Sequence, residues 1–574
     1  MNRATIRAVA LDLVLVASAA CSDVESLWTS DVAEYVQTPG SPVDQGAAAD
    51  VRMRISALIE SGDSAGGVSS FVGRAALRSL YRPDYSPLWI DAAGRPTRNA
   101  RDALDLLTHV ADDGLESADY SVALLTDLAS RTDLAPPADR ARFDVAFSAG
   151  MLLYLHDVHL GRVDPDALGF ELDVPRDHED FVALLRSALG DQRIRIVAAD
   201  LQPRFAQYRL LRQTLARYRL LASDPTFVVP PPFSGTVRPG DRYSAVEVLR
   251  HELAAFRDLG VDQRQSPEAH RYEGGVVDGV KRFQRRHGLP PDGVLGKSTI
   301  VALRVPMTAR VRQLELALER LRWLPATIDE RLIALDIPMF RLWGWDVKPR
   351  NEAPALGMDV IVGQALKTQT PMFVEEMREV VFRPYWNVPP SILRREILPK
   401  LEADPDYLAR HDMEIVRGDG DNAASTNSSS SAALDGLRRG ALRVRQRPGS
   451  KNALGLIKFV FPNEEDVYMH GTPAQALFAK TRRDFSHGCV RVEDPVSLAE
   501  WVLQDQPEWT RDRILAATRG SETIHVKLLQ PIKVILFYTT ATVMPEDGTI
   551  HFSDDIYEQD AMLDRVLTTP RTAR

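Results

Sequence analysis

Val467-Tyr468-Met469-His470-Gly471-Thr472 and Phe485-Ser486-His487-Gly488-Cys489-Val490-Arg491 are the two stretches on which the interpretation of this chain depends. They place two histidines and one of the chain's 2 cysteines within about one strand and one loop of each other. A cysteine attacks as a thiolate, so a catalytic cysteine needs a nearby base and hydrogen-bond donors for the developing oxyanion. Both kinds of group are available within these stretches.

The residues before Cys489 predict two short strands joined by a turn. Residues 454–461 form an apolar run with strand character, and residues 463–466 are turn formers. Residues 467–469 then form a second strand, which ends at His470. The sequence therefore places His470 at the end of a strand.

The residues after Cys489 predict a helix. Asp494 is a good N-cap and Pro495 a good first helical residue. Cys489 would then lie in the loop before this helix, where free N–H groups and the positive helix end favour an anion. Gly488 has no Cβ, so a carbonyl substrate could approach the loop closely.

The pairing of His-Gly-Thr with Ser-His-Gly-Cys-Val-Arg resembles the L,D-transpeptidase catalytic domain of bacterial cell-wall enzymes. The same resemblance extends to residues 383–392, 447–450 and 334–342. It implies a mostly-β domain that performs acyl transfer, with Cys489 as nucleophile and His470 as general base. The backbone carbonyl of Gly471 would orient the imidazole.

The residues alone do not choose between the two histidines, because His487 is two positions from Cys489 and could face the same side. The resemblance assigns the base to His470. His487 then shapes the loop and the oxyanion site, as do Ser486 and Gly488. Arg491 is predicted either to hold a substrate carboxylate or to tie down the loop. The other candidates for substrate binding are Tyr468, Trp386 and Asn387.

Two other interpretations compete with the nucleophile. A lone cysteine is commonly a small buried hydrophobe, but this one lies in a polar loop. His470, His487 and Cys489 could also be zinc ligands, although no Cys-x-x-Cys or His-x-x-x-His lies nearby. We therefore expect neither a metal nor an organic cofactor.

Length and composition are those of a multidomain globular protein. The 574 residues are 44% hydrophobic and 26% charged, and they should form three or four domains. The formal net charge of -9 argues against a general nucleic-acid binder. We expect no nucleic-acid partner.

The first 21 residues have the pattern of an export signal, and a buried N-terminal helix is the alternative. Arg3 and Arg7 precede a largely apolar stretch at residues 9–20, which is too short to span a membrane. Cys21 follows directly, where a lipoprotein would be acylated. The sequence thus predicts a protein of the periplasm or cell envelope, either cleaved or attached to the membrane through Cys21.

The remaining chain is predicted to be an α+β multidomain protein. The motifs at residues 85–89, 114–120 and 161–165 resemble the helical scaffold of large multidomain L,D-transpeptidases, which would occupy residues 51–232. The Phe-Gln, His-Gly-Leu and Asp-Gly pattern at residues 283–293 resembles a three-helix peptidoglycan-binding module, although a plain helical bundle would use the same turns. The full set of expected segments is 1–21 export signal, 22–50 linker, 51–232 scaffold, 240–305 peptidoglycan-binding domain, 306–330 connecting helix, 331–542 mostly-β catalytic domain and 543–574 tail.

An insertion at residues 404–442 interrupts the predicted strand pattern of the catalytic domain. Its Ser-rich core, residues 423–433, is expected to be mobile. The insertion occupies the place where the large enzymes carry a cap over the site. A cap would exclude water and favour aminolysis of an acyl-enzyme over hydrolysis.

The activity implied by the resemblance is two-step acyl transfer between peptidoglycan tetrapeptide stems. Cys489 would attack the carbonyl of the third residue, diaminopimelate, and release D-alanine. An amine of a second stem would then resolve the thioester and form a cross-link between third-position residues. Carbapenem-type inhibitors would acylate the same cysteine. The alternatives are an L,D-carboxypeptidase, an enzyme that anchors proteins to the wall, and a non-catalytic peptidoglycan-binding scaffold.

Overall fold

The computed structural model describes residues 42–61, 73–131, 136–170, 172, 179–232, 235–260, 270–325, 330–347, 353–404, 406–418, 420–421, 423–426 and 430–569. The predicted export signal at residues 1–21 and the predicted acylation site at Cys21 lie outside these residues. The chain divides into two units, Met1–Asp50 and Val51–Arg574. None of the described helices is both long enough and apolar enough to cross a bilayer.

The first part of the chain is helical, as the sequence predicts. Its helices are α1 (Pro42–Ser61), α2 (Arg74–Tyr81), α3 (Arg98–Thr108), α4 (Val122–Ala129), α5 (Pro137–Leu160), α6 (Phe181–Gly190), α7 (Ile194–Leu201) and α8 (Ala206–Ser223). Helix α1 begins at Pro42, within the segment 22–50 that was predicted to be a linker.

Helix α5 forms the centre of the helical part and is buried on nearly all sides. Its Asp144 accepts hydrogen bonds from the backbone N–H groups of Leu88 (2.9 Å) and Trp89 (2.8 Å) and from the hydroxyl of Tyr81 (2.7 Å). Burial raises the pKa of this carboxyl to about 6. Together with Ser148, whose hydroxyl accepts the indole N–H of Trp89, Asp144 fixes the loop before α3 to the central helix.

Three further helices, α9 (Val246–Ala255), α10 (Gly275–Arg286) and α11 (Lys297–Leu303), form a small bundle. Within it, the amide of Gln284 donates to the carboxylate of Asp292 (2.9 Å) and accepts from the N–H of Gly293 (2.8 Å). Gly293 has a φ of +73°, which favours glycine. These residues of the Phe-Gln and Asp-Gly pattern thus stabilise a turn.

Helix α12 (Met307–Leu321) packs along α8 and leads into a β domain. Its strands are β1 (Leu332–Asp336), β2 (Arg341–Trp345), β3 (Leu356–Gly363), β4 (Phe373–Phe382), β5 (Trp386–Asn387), β6 (Met413–Arg417), β7 (Ala424–Thr426), β8 (Arg443–Gln446), β9 (Ile457–Val460), β10 (Met469–His470), β11 (Asp484–Ser486), β12 (Val490–Val492), β13 (Ile524–Phe537), β14 (Ala541–Val543) and β15 (Ile550–Phe552). Its helices are α13 (Pro390–Ile392), α14 (Leu398–Ala403), α15 (Tyr407–Arg410), α16 (Ser431–Arg438), α17 (Pro495–Val502), α18 (Arg511–Arg519) and α19 (Gln559–Thr568).

Eight of the strands close into a barrel. The hydrogen-bonded order is β2-β3-β12-β10-β9-β4-β13-β1, and β1 pairs again with β2. Strand β11 adds to β3 outside this ring. Strands β1, β3, β4 and β13 overlap apolar runs of the sequence at residues 332–337, 360–362, 380–382 and 532–538. The interior is filled by apolar side chains from every strand of the ring, so the chemistry must take place outside it.

A second, four-stranded sheet in the order β5-β8-β6-β7, together with helices α13 to α16, forms what we call the cap, residues 386–446. It has an apolar core of its own, which includes Leu393, Leu401, Ile415 and Leu437. The sequence predicts that residues 404–442 interrupt the strand pattern, but β6 and β7 lie within this segment. The signal was missed because β6 has only five residues and pairs with β8, far along the chain.

Candidate functional site

The pairing of β10 with β12 determines the arrangement of the site. The two strands are parallel, with Met469 opposite Val490 and His470 opposite Arg491. Met469 and Val490 are fully buried in the barrel. Successive side chains in a strand point to opposite faces, so His470 and Arg491 lie on the outer face. Cys489 precedes Val490, and it therefore lies on the same face as His470 and Arg491.

The same face continues onto β9, where Lys458 is the register partner of His470. Lys458, His470 and Arg491 form a row across three adjacent strands. Tyr468 lies directly before β10, and its carbonyl accepts the N–H of Val490 at 3.1 Å. Tyr468 and Cys489 are thus neighbours at one end of the row.

The imidazole of His470 is held in one orientation. Its Nδ1–H donates to the carbonyl of Gly471 at 2.5 Å, so Nε2 carries the free lone pair. Burial, and then the charge of Arg491, lower the pKa of His470 to about 3. The ring is therefore neutral at neutral pH and can accept a proton.

Cys489 is a half-buried free thiol. Its Sγ–H donates to the carbonyl of Asp466 at 3.8 Å. Burial raises the pKa of the thiol, while hydrogen bonding to Tyr468 and the charge of Lys458 act in the opposite direction. The group is mostly a thiol at neutral pH, so a reaction at sulfur needs a base to take the proton.

The loop before Cys489 leaves one backbone donor beside the sulfur. Gly488 has a φ of +112°, and its N–H donates to the hydroxyl of Ser486 at 3.2 Å. That N–H was expected to help hold an oxyanion, but it already has a partner within the loop. The N–H of Cys489 has no hydrogen-bond acceptor among the residues that the structure describes. It is the donor best placed for an oxyanion.

The positive end of the following helix is not the anion site that the sequence predicted. Helix α17 does start at Pro495 with Asp494 as N-cap, which confirms that part of the prediction. However, strand β12 separates Cys489 from the helix. The N–H groups of Val496 and Ser497 already donate to the Asp494 carboxylate. The alternation in Val490-Arg491-Val492 was too short to predict this strand.

Thr370 and Tyr557, which the sequence did not identify as site residues, anchor the loop before Cys489. The buried hydroxyl of Thr370 donates to the carbonyl of Gly488 at 2.7 Å and accepts the N–H of Gly363 at 2.9 Å. The hydroxyl of Tyr557 donates to the carbonyl of Gly363 at 2.7 Å and accepts the N–H of Thr370 at 3.2 Å. No local pattern of the sequence marks either hydroxyl.

Two histidines connect the barrel to the cap. His487 Nε2 lies 2.7 Å from the carboxylate of Glu396 in the cap. His525, on β13, lies 2.8 Å from Asp421 of the cap and 3.1 Å from Glu379 of β4. Burial acts to lower the pKa of His525, but the hydrogen bonds to Asp421 and Glu379 outweigh it and raise the pKa. His487 therefore faces the cap and not the sulfur.

The other predicted contact residues are divided between the site and the cap. Tyr468 has its ring 5.7 Å from the imidazole of His470. Arg491 has a buried Nε without a hydrogen-bond partner in the described part of the chain, so nothing there shows it tying down the loop. Trp386 packs against the cap core and Asn387 is exposed on β5. The substrate roles of Trp386 and Asn387 stay predictions.

The zinc alternative has no geometric support. The ring of His487 is engaged with Glu396, while Nδ1 of His470 donates to Gly471. Within the described ranges, no three His, Cys, Asp or Glu side chains are grouped so that they could hold a metal ion.

Substituting Gly455 with alanine should disturb the position of His470. Gly455 has a φ of +65°, and a Cβ there would lie 2.7 Å from the carbonyl carbon of Gly471, which orients the imidazole. We expect Gly455→Ala to lower the free energy of unfolding by about 1–3 kcal/mol in urea titrations. Gly449→Ala is the matched control, because a Cβ at Gly449 meets nothing within 4 Å. Equal stability of the two variants would contradict this packing.

Three family models match separate parts of the chain. A "Scaffold domain" model matches residues 75–215, and a "Putative peptidoglycan binding domain" model matches residues 242–303. The "L,D-transpeptidase catalytic domain" model matches residues 330–521, which include the barrel face described above and the cap. The helical scaffold, the three-helix bundle and the mostly-β domain predicted from the sequence are thereby confirmed.

Similar proteins were found among curated sequences and solved structures. A Haemophilus influenzae protein named "Putative L,D-transpeptidase" is 32% identical over 252 residues, which are 44% of this chain and 49% of that protein. The chain thus matches about half the length of this relative. A crystal structure of an L,D-transpeptidase from Xylanimonas cellulosilytica is 15% identical, with a TM-score of 0.17, and the match covers 54% of this chain and 100% of that one.

Proposed function

We propose, from the L,D-transpeptidase catalytic domain that this chain carries over residues 330–521, that Cys489 is the nucleophile of an enzyme that cross-links peptidoglycan stems. The observation that carries this proposal is the shared face of Cys489 and His470, which the β10–β12 register sets. The peptidoglycan-binding domain at residues 242–303 supports the substrate class and a location in the cell envelope.

In the first step, Nε2 of His470 takes the proton of Cys489 and the thiolate attacks the carbonyl of the third stem residue. The N–H of Cys489 donates to the oxyanion. The imidazolium of His470 then gives its proton to the amine of the departing D-alanine. A pKa of about 3 makes this imidazolium a strong acid, which favours the second transfer. The product is a thioester on Sγ.

In the second step, neutral His470 takes a proton from the attacking amine of another stem, and the thioester is converted to an amide. The proton returns to sulfur as the thiolate leaves. The contacts of the cap with His487 and His525 support this outcome, because they hold the cap next to the loop that carries Cys489. Exclusion of water there favours an amine over hydrolysis.

Product analysis tests this proposal against its alternatives. The full chain is incubated with purified disaccharide-tetrapeptide stems, and the products are separated and weighed by mass spectrometry. We expect a dimer that has lost one D-alanine and is joined through two third-position residues. Tripeptide without dimer would indicate an L,D-carboxypeptidase. Transfer of the stem only to a lysine-containing peptide would indicate protein anchoring, and unchanged stems would indicate a non-catalytic scaffold.

A further inference from the structure

Lys458 is a cation of the site to which the mechanism above gives no role. Its position on β9 is opposite His470 in the register. The ammonium Nζ lies 3.9 Å from the centroid of the Tyr468 ring, which is a favourable cation–π distance. The same ring lies beside His470, so Tyr468 holds the ammonium within the row of site residues.

The carboxylates around Lys458 do not neutralise it by direct contact. The acidic groups that face it are Glu379 on β4, Asp466 in the turn before β10 and Asp421 of the cap. Among the described residues, none of them forms an ion pair with Nζ. Glu379 and Asp421 instead bind His525. The half-buried ammonium is thus free to interact with charge that develops in the site.

The charge of Lys458 acts to lower the pKa of both reacting groups, so it stabilises the charged form of Cys489 and destabilises the charged form of His470. Burial lowers the pKa of Lys458, and the nearby Cys489 raises it most among its neighbours. The same ammonium contributes to the lowered pKa of His470. It therefore favours a negative sulfur and disfavours a positive imidazole.

We propose that Lys458, whose ammonium is held over the Tyr468 ring, is a positioning residue. Its positive charge stabilises the Cys489 thiolate and favours transfer of the proton from His470 to the leaving amine. Lys458 neither gains nor loses a proton. The proton leaves Sγ, stays briefly on Nε2 and goes to the amine. The catalytic part of this inference rests on the proposed function, whereas the effect on the thiol does not require it.

The test is the pH dependence of Cys489 alkylation by iodoacetamide, a neutral reagent whose rate reports the thiolate fraction. The full chain is treated between about pH 6 and pH 10, and the peptide containing Cys489 is quantified by mass spectrometry. Lys458→Met should move the profile to higher pH and slow alkylation near neutral pH about tenfold, which corresponds to one pKa unit of the thiol. Lys458→Arg should keep the wild-type profile.

Lys480→Met is the matched control, because Lys480 is exposed and lies outside the row. Lys458→Gln provides a second neutral variant in case the methionine variant does not fold, which circular dichroism would show. Coincident profiles for wild type and both neutral variants would overturn the inference. A shifted profile in a protein that forms no dimer would uphold the effect on the thiol and refute only the proposed function.

Discussion

Cys489→Ala should abolish dimer formation from tetrapeptide stems, with a fall in rate of about 10⁴-fold or more. The reason is that the proposed acyl-enzyme is a thioester, and Cys489 is the only free thiol among the residues that the structure describes. Alanine loses only the sulfur of a half-buried side chain, so the fold should be retained.

Two controls make this result specific. Cys21→Ser should keep activity, because Cys21 is the chain's other cysteine and has no part in the mechanism. Cys489→Ser tests whether a hydroxyl can substitute, and we expect a large loss there too, since His470 with a pKa of about 3 is a weak base for an alcohol. Dimer formation by Cys489→Ala at a rate near that of wild type would refute the mechanism.

His470→Gln should slow dimer formation by about 10²–10⁴-fold, the usual contribution of a positioned general base. Glutamine retains polarity and approximate size but cannot relay a proton. The loss should appear in kcat, because His470 acts on the chemical steps rather than on binding.

His487→Gln is the comparison that decides between the two histidines. His487 contacts Glu396 at the cap, and its exposed pair should contribute little, so we expect a loss of less than about tenfold. A larger loss for His487→Gln than for His470→Gln would reverse the assignment of the base.

The buried imidazole also predicts a dependence of stability on pH. In the unfolded chain His470 binds a proton below about pH 6.5, whereas in the folded chain it stays neutral down to a pKa of about 3. Between these values the unfolded state binds more protons, so the free energy of unfolding falls on acidification by about 1.4 kcal/mol per pH unit. His470→Gln should reduce this slope in urea titrations at pH 7 and pH 5. An unchanged slope would show that the histidine is protonated in the fold.

The parts of the site that the sequence could predict are those encoded locally. The helix that begins at Pro495 follows from the N-cap Asp494 and the adjacent residues. The run at residues 457–460 favours a strand whichever strand it pairs with. The positions of Thr370 and Tyr557 behind the loop could not be derived. Thr370 reaches Gly488, 118 positions away, and Tyr557 reaches Thr370, 187 positions away, and no local pattern marks a buried hydroxyl that bridges distant loops.

The same distinction between local patterns and contacts of distant residues explains the two predictions at the site that were wrong. Helix-start residues predict a positive helix end near Cys489, but the intervening strand exists only because β3 and β10 flank it on both sides. The N–H of Gly488 was expected to be available to an oxyanion. It instead donates a hydrogen bond to the hydroxyl of Ser486 in the same loop. The sequence does not mark Lys458 as a site residue, because a lysine within an apolar run is usually a solvent-exposed side chain. Only the register of the barrel strands brings it opposite His470.

The most direct test of the central claim is the mass of the intact protein after brief incubation with a tetrapeptide stem, followed by mapping of the modified peptide. The account predicts an increase equal to the stem minus D-alanine, located on Cys489 and removed by an acceptor amine. An unmodified protein that still forms product, or an adduct on any other residue, would contradict it.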